Sequence, residues 1–490
     1  MNPSRRSFIK WSAGSVALVA LNPTRLWAET KDPFAEFGLP AIGKLKPRSS
    51  ASIKASPLGV GYETLDRQHF DPVKTYQHAA QLGVKWARCQ TGWARTEKTK
   101  GQYDFGWLDE VVDGLLKIGI QPWFNLGYGN PLYTPQADET AVGWVPVFDE
   151  AAMDGWKKFT AKLAEHFKGR VTHWEIWNEA NITSFWKPGK ADAAAYTKLV
   201  AQTAPLIRER VPGAVIIGGA FAGVPHAYFK ACLENGLAKL VDKIAYHPYR
   251  PIPEQGYDED VRKLRQALKE HDAGHVALWQ GEAGTQSEFC LGGALCKYPW
   301  TELTQAKWVT RRMLGDLGHD VESLVFSIAD LDYNRWEGDQ LGDMDRYGLV
   351  KTDKQYRLLK VKLAYYAVQN VVAVFDDTLE RLPDDPGAIQ CAKAAACYAY
   401  RHKPSGARLL VFWDKSAVPS NNNDTVSATL SLVKGSFQEP VWVDTITGGI
   451  FEIPMERMSM DGEKVIFKDI PVYDAPSFIT EKSLLTPRTK

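Results

Sequence analysis

Two glutamates in this chain close apolar runs of strand length. Glu179 ends His173-Trp174-Glu175-Ile176-Trp177-Asn178-Glu179, and Glu282 ends Leu278-Trp279-Gln280-Gly281-Glu282. Two carboxyl groups facing each other across a pocket are the equipment for cleaving a glycosidic bond. One, kept protonated, gives its proton to the departing oxygen; the other, kept ionised, meets the anomeric carbon from the opposite side. A separation of about 5 Å directs the reaction through a covalent intermediate and net retention. Mutual charge and partial burial would keep one of the pair protonated near neutral pH. Each role has an alternative bearer: Glu175 shares a strand face with Glu179, and Glu288 lies beyond Glu282.

Strand ends so far apart in sequence meet only on a scaffold that gathers them. Eight apolar segments qualify as strands: Leu58–Tyr62, Val84–Cys89, Gln121–Leu126, Val171–Trp177, Val215–Gly219, Lys243–His247, Val276–Trp279 and Val321–Ile328. Amphipathic stretches alternate with them, among them Trp107–Ile118, Met153–Phe167, Tyr196–Val211, Asp260–His271 and Thr304–Leu317. Eight such units over roughly 300 residues predict an α/β fold, a (β/α)8 TIM barrel over residues 58–370, whose chemistry sits at the C-terminal strand ends. Strands four and seven then lie across the mouth from each other. Gly59-Val60-Gly61 lacks a third glycine, so no dinucleotide cofactor is expected. From Val371 the pattern changes to short alternating segments with Gly, Pro and Asn turns, which predicts a C-terminal β-sandwich accessory domain over residues 371–482.

Charge excludes some partners. Lys plus Arg (59) and Asp plus Glu (58) nearly cancel, leaving no footprint for nucleic acid or an anionic membrane. The 17 tryptophans suit a polar, uncharged ligand with apolar ring faces, such as a glycan or oligosaccharide. Trp93, Trp186 and Trp336, with Trp144 and Trp300, fall after strand ends, where loops rim a pocket and an indole can stack on a sugar. Ser4-Arg5-Arg6-Ser7-Phe8-Ile9-Lys10 and the apolar stretch Trp11–Leu21 match a twin-arginine signal peptide over residues 1–28, followed by a lead-in over residues 29–57. Export to the periplasm or the medium is therefore expected, with no membrane association after cleavage. In an oxidising compartment Cys290 with Cys296 and Cys391 with Cys397 are close enough in sequence for two disulfides. Cys89 and Cys232 read as buried thiols. Neither cysteine pair has metal-knuckle spacing and Asp330–Asp345 lacks that of a calcium loop, so no metal is expected. A serine hydrolase is excluded for want of a G-x-S-x-G elbow.

The run Glu175-Ile176-Trp177-Asn178-Glu179, followed by Phe185-Trp186, resembles the strand-four motif of clan A of the glycoside hydrolases, retaining (β/α)8 glycosidases, and most of all family 39, the β-xylosidases and α-L-iduronidases. His247-Pro248-Tyr249, Tyr347-Gly348-Leu349 and the stretch Trp93–Asp109 resemble further segments of these enzymes. The resemblance implies that Glu179 is the acid/base and Glu282 the nucleophile. It also implies that Arg88 keeps the nucleophile ionised, that Asn178 bonds the sugar 2-hydroxyl, and that His247 and Tyr249 support the nucleophile and glycone. Transglycosylation would use the same residues, and a noncatalytic carbohydrate-binding protein would need only the scaffold.

Overall fold

The strands that carry Glu179 and Glu282 belong to a closed parallel barrel: β1 (Leu58–Tyr62), β2 (Trp86–Gln90), β3 (Gln121–Leu126), β4 (His173–Ile176), β5 (Val215–Ala222), β6 (Lys243–His247), β7 (Ala277–Gln280) and β8 (Glu322–Val325). The computed structural model describes residues 37–333, 344–433, 435 and 437–485. Of the chain's two units, Met1–Phe37 and Gly38–Lys490, the second holds all the described residues except Phe37. The segments read as a signal peptide, and Trp336, lie outside the described residues.

These strands carry apolar residues on both faces because one face packs the barrel interior and the other the helices. Inside, Trp123, Trp279, Ile217, Ala245 and Leu324 form a dry layer, with Trp86 and Val215 against it. Above it, towards the C-terminal strand ends, polar side chains replace apolar ones: Arg88, Asn125, Glu175 and Gln280 are all buried. The Arg88 guanidinium sits 5.8 Å above the Trp123 ring, where the two layers meet. Gly281 keeps the junction open, since a Cβ there would stand 3.2 Å from Ala245 Cβ and 3.3 Å from the Trp123 ring.

Three of the surrounding helices begin where a side chain satisfies the first free backbone N–H groups. Asp149 caps Glu150–His166, Asp192 caps Ala193–Arg210, and Thr301 forms a reciprocal capping box with Thr304 at Glu302–Leu317. This last helix is buried over most of its length. Its neighbour Leu363–Val374 is apolar nearly all round and buried as well.

Beyond the barrel and the two-stranded hairpin Val350–Thr352 with Leu358–Val361 lie two larger antiparallel sheets. One has the order Ala41–Lys44, Gly449–Glu452, Pro440–Asp444, Ser477–Glu481, Arg408–Asp414, Ala395–His402, Leu379–Arg381; the other has Ala388–Cys391, Val426–Val433, Lys464–Val472, Met458–Asp461. The first strand of the larger sheet comes from the lead-in, which pairs with Gly449–Glu452. No described helix is long and apolar enough to cross a membrane.

All six cysteines are free thiols. Proximity in sequence does not pair Cys391 with Cys397, because the chain changes sheet between them: Cys391 pairs across to Ala428 and Cys397 to Phe412. Their sulfurs turn to different carbonyls, Lys393 O and Pro386 O. Cys290 Sγ is likewise directed at Gly292 O and Asp345 Oδ1, not at Cys296. Cys89 and Cys232 are buried as expected.

Candidate active site

Strand register brings the polar layer together. Pairing of β1 with β2 sets Gly61 beside Arg88, and pairing of β3 with β4 sets Asn125 beside Glu175. Arg88, fully buried, then spends its guanidinium in three directions: Nε donates to Glu175 Oε2 at 2.6 Å, Nη1 to Glu282 Oε2 at 2.9 Å and Nη2 to Asn178 Oδ1 at 2.8 Å. Asn125 Nδ2 donates to Glu175 Oε2 at 2.9 Å and to Trp177 O at 2.8 Å. Glu175 is thus fixed from two sides at the floor of the site, with no exposure of its own. It braces Arg88, so the alternative that made it the reacting acid is not favoured.

Past β4 the backbone turns sharply. Trp177 and Glu179 both adopt left-handed conformations, with φ of 70° and 49°. Each costs on the order of 1 kcal/mol and persists only where the surroundings hold it. They do so here: Trp177 Nε1 donates to Phe185 O at 2.8 Å, and Glu179 N donates to Ala220 O at 2.8 Å. The turn lifts the Glu179 carboxyl to the pocket, where its side chain is 13% exposed.

There Glu179 Oε1 lies 2.8 Å from His247 Nδ1. Burial pushes the Glu179 carboxyl up to about 7, against the lowering effect of Arg88. Burial also holds the His247 imidazole down to about 3, so it is neutral at physiological pH. Opposite, Glu282 accepts from Arg88 at Oε2 and from the Tyr249 hydroxyl at Oε1, 2.9 Å away. Burial, followed by the Glu282 charge, holds the Tyr249 phenol well above its usual range, so it remains a donor. Ligand atoms of Glu179, His247 and Glu282 lie within 4.8 Å of one another, which places the two carboxyls face to face. A metal ion could span that distance. Arg88, Tyr249 and the Glu179–His247 hydrogen bond already satisfy the atoms it would need, so the set does not call for one.

The rest of the sequence reading divides. Arg88, Asn178, His247 and Tyr249 converge on the two glutamates. Glu288 does not: it pairs with Arg346 at 2.8 Å and Lys351 at 3.3 Å outside the pocket. Trp93 and Trp186 are no sugar platforms, because packing uses their faces. Trp93 is stacked by Tyr133 at 5.1 Å and Phe159 at 5.8 Å, with Nε1 bound to Glu97. Trp186 is fully buried against Trp177, Tyr196 and Phe148. Trp300 is also buried, with Nε1 on Leu295 O. Two site residues escaped the sequence reading, Asn125 and Glu63. Glu63 stands directly after β1, as Glu179 and Glu282 stand just past β4 and β7, and that shared position was the available signal.

The chain matches the model of Glycosyl hydrolases family 39 over residues 64–275. Over this stretch it is similar to the clan A glycoside hydrolases near family 39. The chain is 26% identical over 208 residues to a β-xylosidase of Geobacillus stearothermophilus, a match covering 38% of this chain and 40% of that protein. It is 27% identical over 165 residues to a β-xylosidase of Caldicellulosiruptor saccharolyticus, covering 30% and 31% of the two chains. The matched stretches thus span well under half of these relatives. In fold it resembles a family 39 glycoside hydrolase from Bacteroides cellulosilyticus WH2 (TM-score 0.61, 18% identity, 87% of this chain and 80% of that one). It also resembles a monomeric β-xylosidase from Caulobacter crescentus CB15 (TM-score 0.56, 15% identity, 90% and 97%).

Proposed function

We propose that this clan A protein hydrolyses O-glycosidic bonds of a glycan or oligosaccharide with retention, Glu282 acting as nucleophile and Glu179 as acid/base. The observation that carries this reading is the opposed pair itself. Carboxylate oxygens of Glu179 and Glu282 come within 4.8 Å, which fits the close spacing of retaining enzymes and leaves no room for the intervening water of inverting ones.

The electrostatics supply each role. Glu179, raised to about 7, carries a proton at neutral pH and gives it to the departing glycosidic oxygen. Glu282, oriented by Arg88 and Tyr249, attacks the anomeric carbon, and the bond to the leaving group breaks as the glycosyl ester forms. Glu179, now a carboxylate, then takes a proton from water, whose oxygen attacks the same carbon and releases Glu282. Neutral His247 holds the Glu179 carboxyl in place through both steps. Asn178, anchored by Arg88, stands beside Glu179 where it can meet the sugar 2-hydroxyl. The two β-xylosidases among the relatives support a β-D-xyloside as the first substrate to try. The twin-arginine motif at Arg5-Arg6 supports export before action.

The test is turnover of aryl β-D-xylosides, glucosides and galactosides and α-L-arabinosides by the mature protein and by Glu179→Gln, Glu282→Gln and Glu282→Gly. Turnover should fall by about 10³-fold or more in both glutamine variants. Azide should then rescue Glu282→Gly as the glycosyl azide of inverted configuration. Binding of oligosaccharides without any turnover by the wild type would overturn the reading in favour of a carbohydrate-binding protein.

A further inference from the structure

Glu63 is an acid that the double displacement does not use. It is 2% exposed and follows β1 directly. Its Oε1 lies 3.4 Å from Arg88 Nη1, the nitrogen that also donates to Glu282 at 2.9 Å. Its Oε2 is buried with no hydrogen-bond partner among the described residues. That oxygen rests over Gly61, where any Cβ would overlap it, so β1 has a glycine where the Glu63 carboxyl folds back.

Three carboxyls therefore crowd one guanidinium, at 2.6 Å (Glu175), 2.9 Å (Glu282) and 3.4 Å (Glu63). Three ionised acids around a single cation would leave two buried negative charges uncompensated, which desolvation forbids. The proton belongs on the acid with the poorest donors. Glu175 has Arg88 Nε and Asn125 Nδ2, both on Oε2, its Oε1 being bare among the described residues; Glu282 has Arg88 Nη1 and the Tyr249 hydroxyl. Glu63 has only its own amide and the longest of the Arg88 contacts.

We propose that Glu63 is a positioning residue, carried as the neutral acid in the working enzyme, and that its neutrality leaves Arg88 Nη1 to the Glu282 carboxylate. This rests on the reading of Glu282 as nucleophile. The groups that face Glu63 agree with it. From β2 come Arg88 and the Cys89 thiol, itself pushed well above its usual range by burial and uncharged; from the end of β7 comes Glu282. Burial raises the Glu63 carboxyl well above the ordinary range, Arg88 opposes this, and the Glu282 charge adds to it. As pH rises far enough to ionise Glu63, the new carboxylate competes for Nη1 and repels Glu282. The attack step then loses its orientation.

The experiment compares wild type with Glu63→Gln, which mimics the neutral acid, and Glu63→Leu, which can bond nothing. An aryl glycoside with a dinitrophenolate leaving group removes the need for Glu179 as acid, so the pH profile of its kcat/KM reads the nucleophile side alone. Loss of the donor arrangement at a charged group predicts a kcat about 10- to 100-fold lower for Glu63→Leu with KM little changed, and recovery of most of that in Glu63→Gln. On this substrate the alkaline fall of kcat/KM in wild type should disappear in Glu63→Gln. Infrared difference spectra at neutral pH should show a protonated carboxylic C=O band lost in Glu63→Gln, separate from the one lost in Glu179→Gln. Absence of the Glu63 band overturns the proposal whatever the kinetics. If the wild type cleaves no glycoside the proposed activity fails on its own, and the infrared band still decides the protonation of Glu63.

Discussion

Glu179 and His247 are poised by the same burial in opposite senses, and stability bears the consequence. A carboxyl held at about 7 in the folded protein titrates near 4.3 when unfolded. The folded state therefore binds this proton more tightly, so the contribution of Glu179 to stability is largest below the unfolded value and is lost as pH rises towards about 7. Ionising it in place costs up to about 4 kcal/mol. Glu179→Gln removes that cost, and is expected to raise the melting temperature at pH 8 while changing it little at pH 4. Melts that shift equally at both pH values would mean that the carboxyl is not held up by burial. If Glu179 is the proposed acid, kcat/KM for substrates with poor leaving groups should fall along an alkaline limb near pH 7, since catalysis of their departure would require the protonated form. A site that trades folding stability for a proton at neutral pH is ordinary in acid–base catalysis.

At the scale of elements, β1, β3 and β6 have the bounds read from their apolar runs, because a strand buried on both faces announces itself as a continuous apolar segment. The acids at the ends of β4 and β7 were legible for a related reason: a charge that closes an apolar run has few structural excuses. Glu63, directly after β1, meets the same criterion. Tryptophan position was the poorest guide. An indole after a strand end serves packing or stacking equally well in sequence, and only the neighbours decide. Those of Trp186 decide for packing. Trp186→Ala should therefore lower stability by about 3–5 kcal/mol through the cavity it leaves, with KM for the glycone altered far less than the melting point. A large KM effect in a protein of unchanged stability would return Trp186 to the pocket rim. The edge strand Ala41–Lys44 escaped for the opposite reason: it is short and exposed along its whole length, so it has no burial pattern to read.

Across the whole molecule, the sheets beyond the barrel are fastened to the helix that follows β7. In that helix Arg311 Nε donates to Glu254 Oε1 at 2.9 Å, and Arg311 Nη1 donates to Ala417 O at 3.0 Å. Glu254, in the loop after β6, also accepts from Trp413 Nε1 of the larger sheet at 2.6 Å. Lys307, one turn earlier, reaches Ser420 O at 3.1 Å and Asp474 at 2.5 Å. These cations are buried, so removing one leaves its acid desolvated and unpaired, at a cost of about 3–5 kcal/mol. Arg311→Met keeps the apolar bulk of the side chain and removes the charge. If the sheets brace the barrel through this contact, the variant should melt several degrees earlier and in a single transition. Activity per folded molecule should be retained, because Arg311 makes no contact with Glu179 or Glu282. Two resolved transitions, with the one that abolishes turnover unmoved, would mean that the sheets and the barrel fold independently. The burial of helix Glu302–Leu317 between them argues for the single transition, since neither part could lose the other without exposing its apolar face to water.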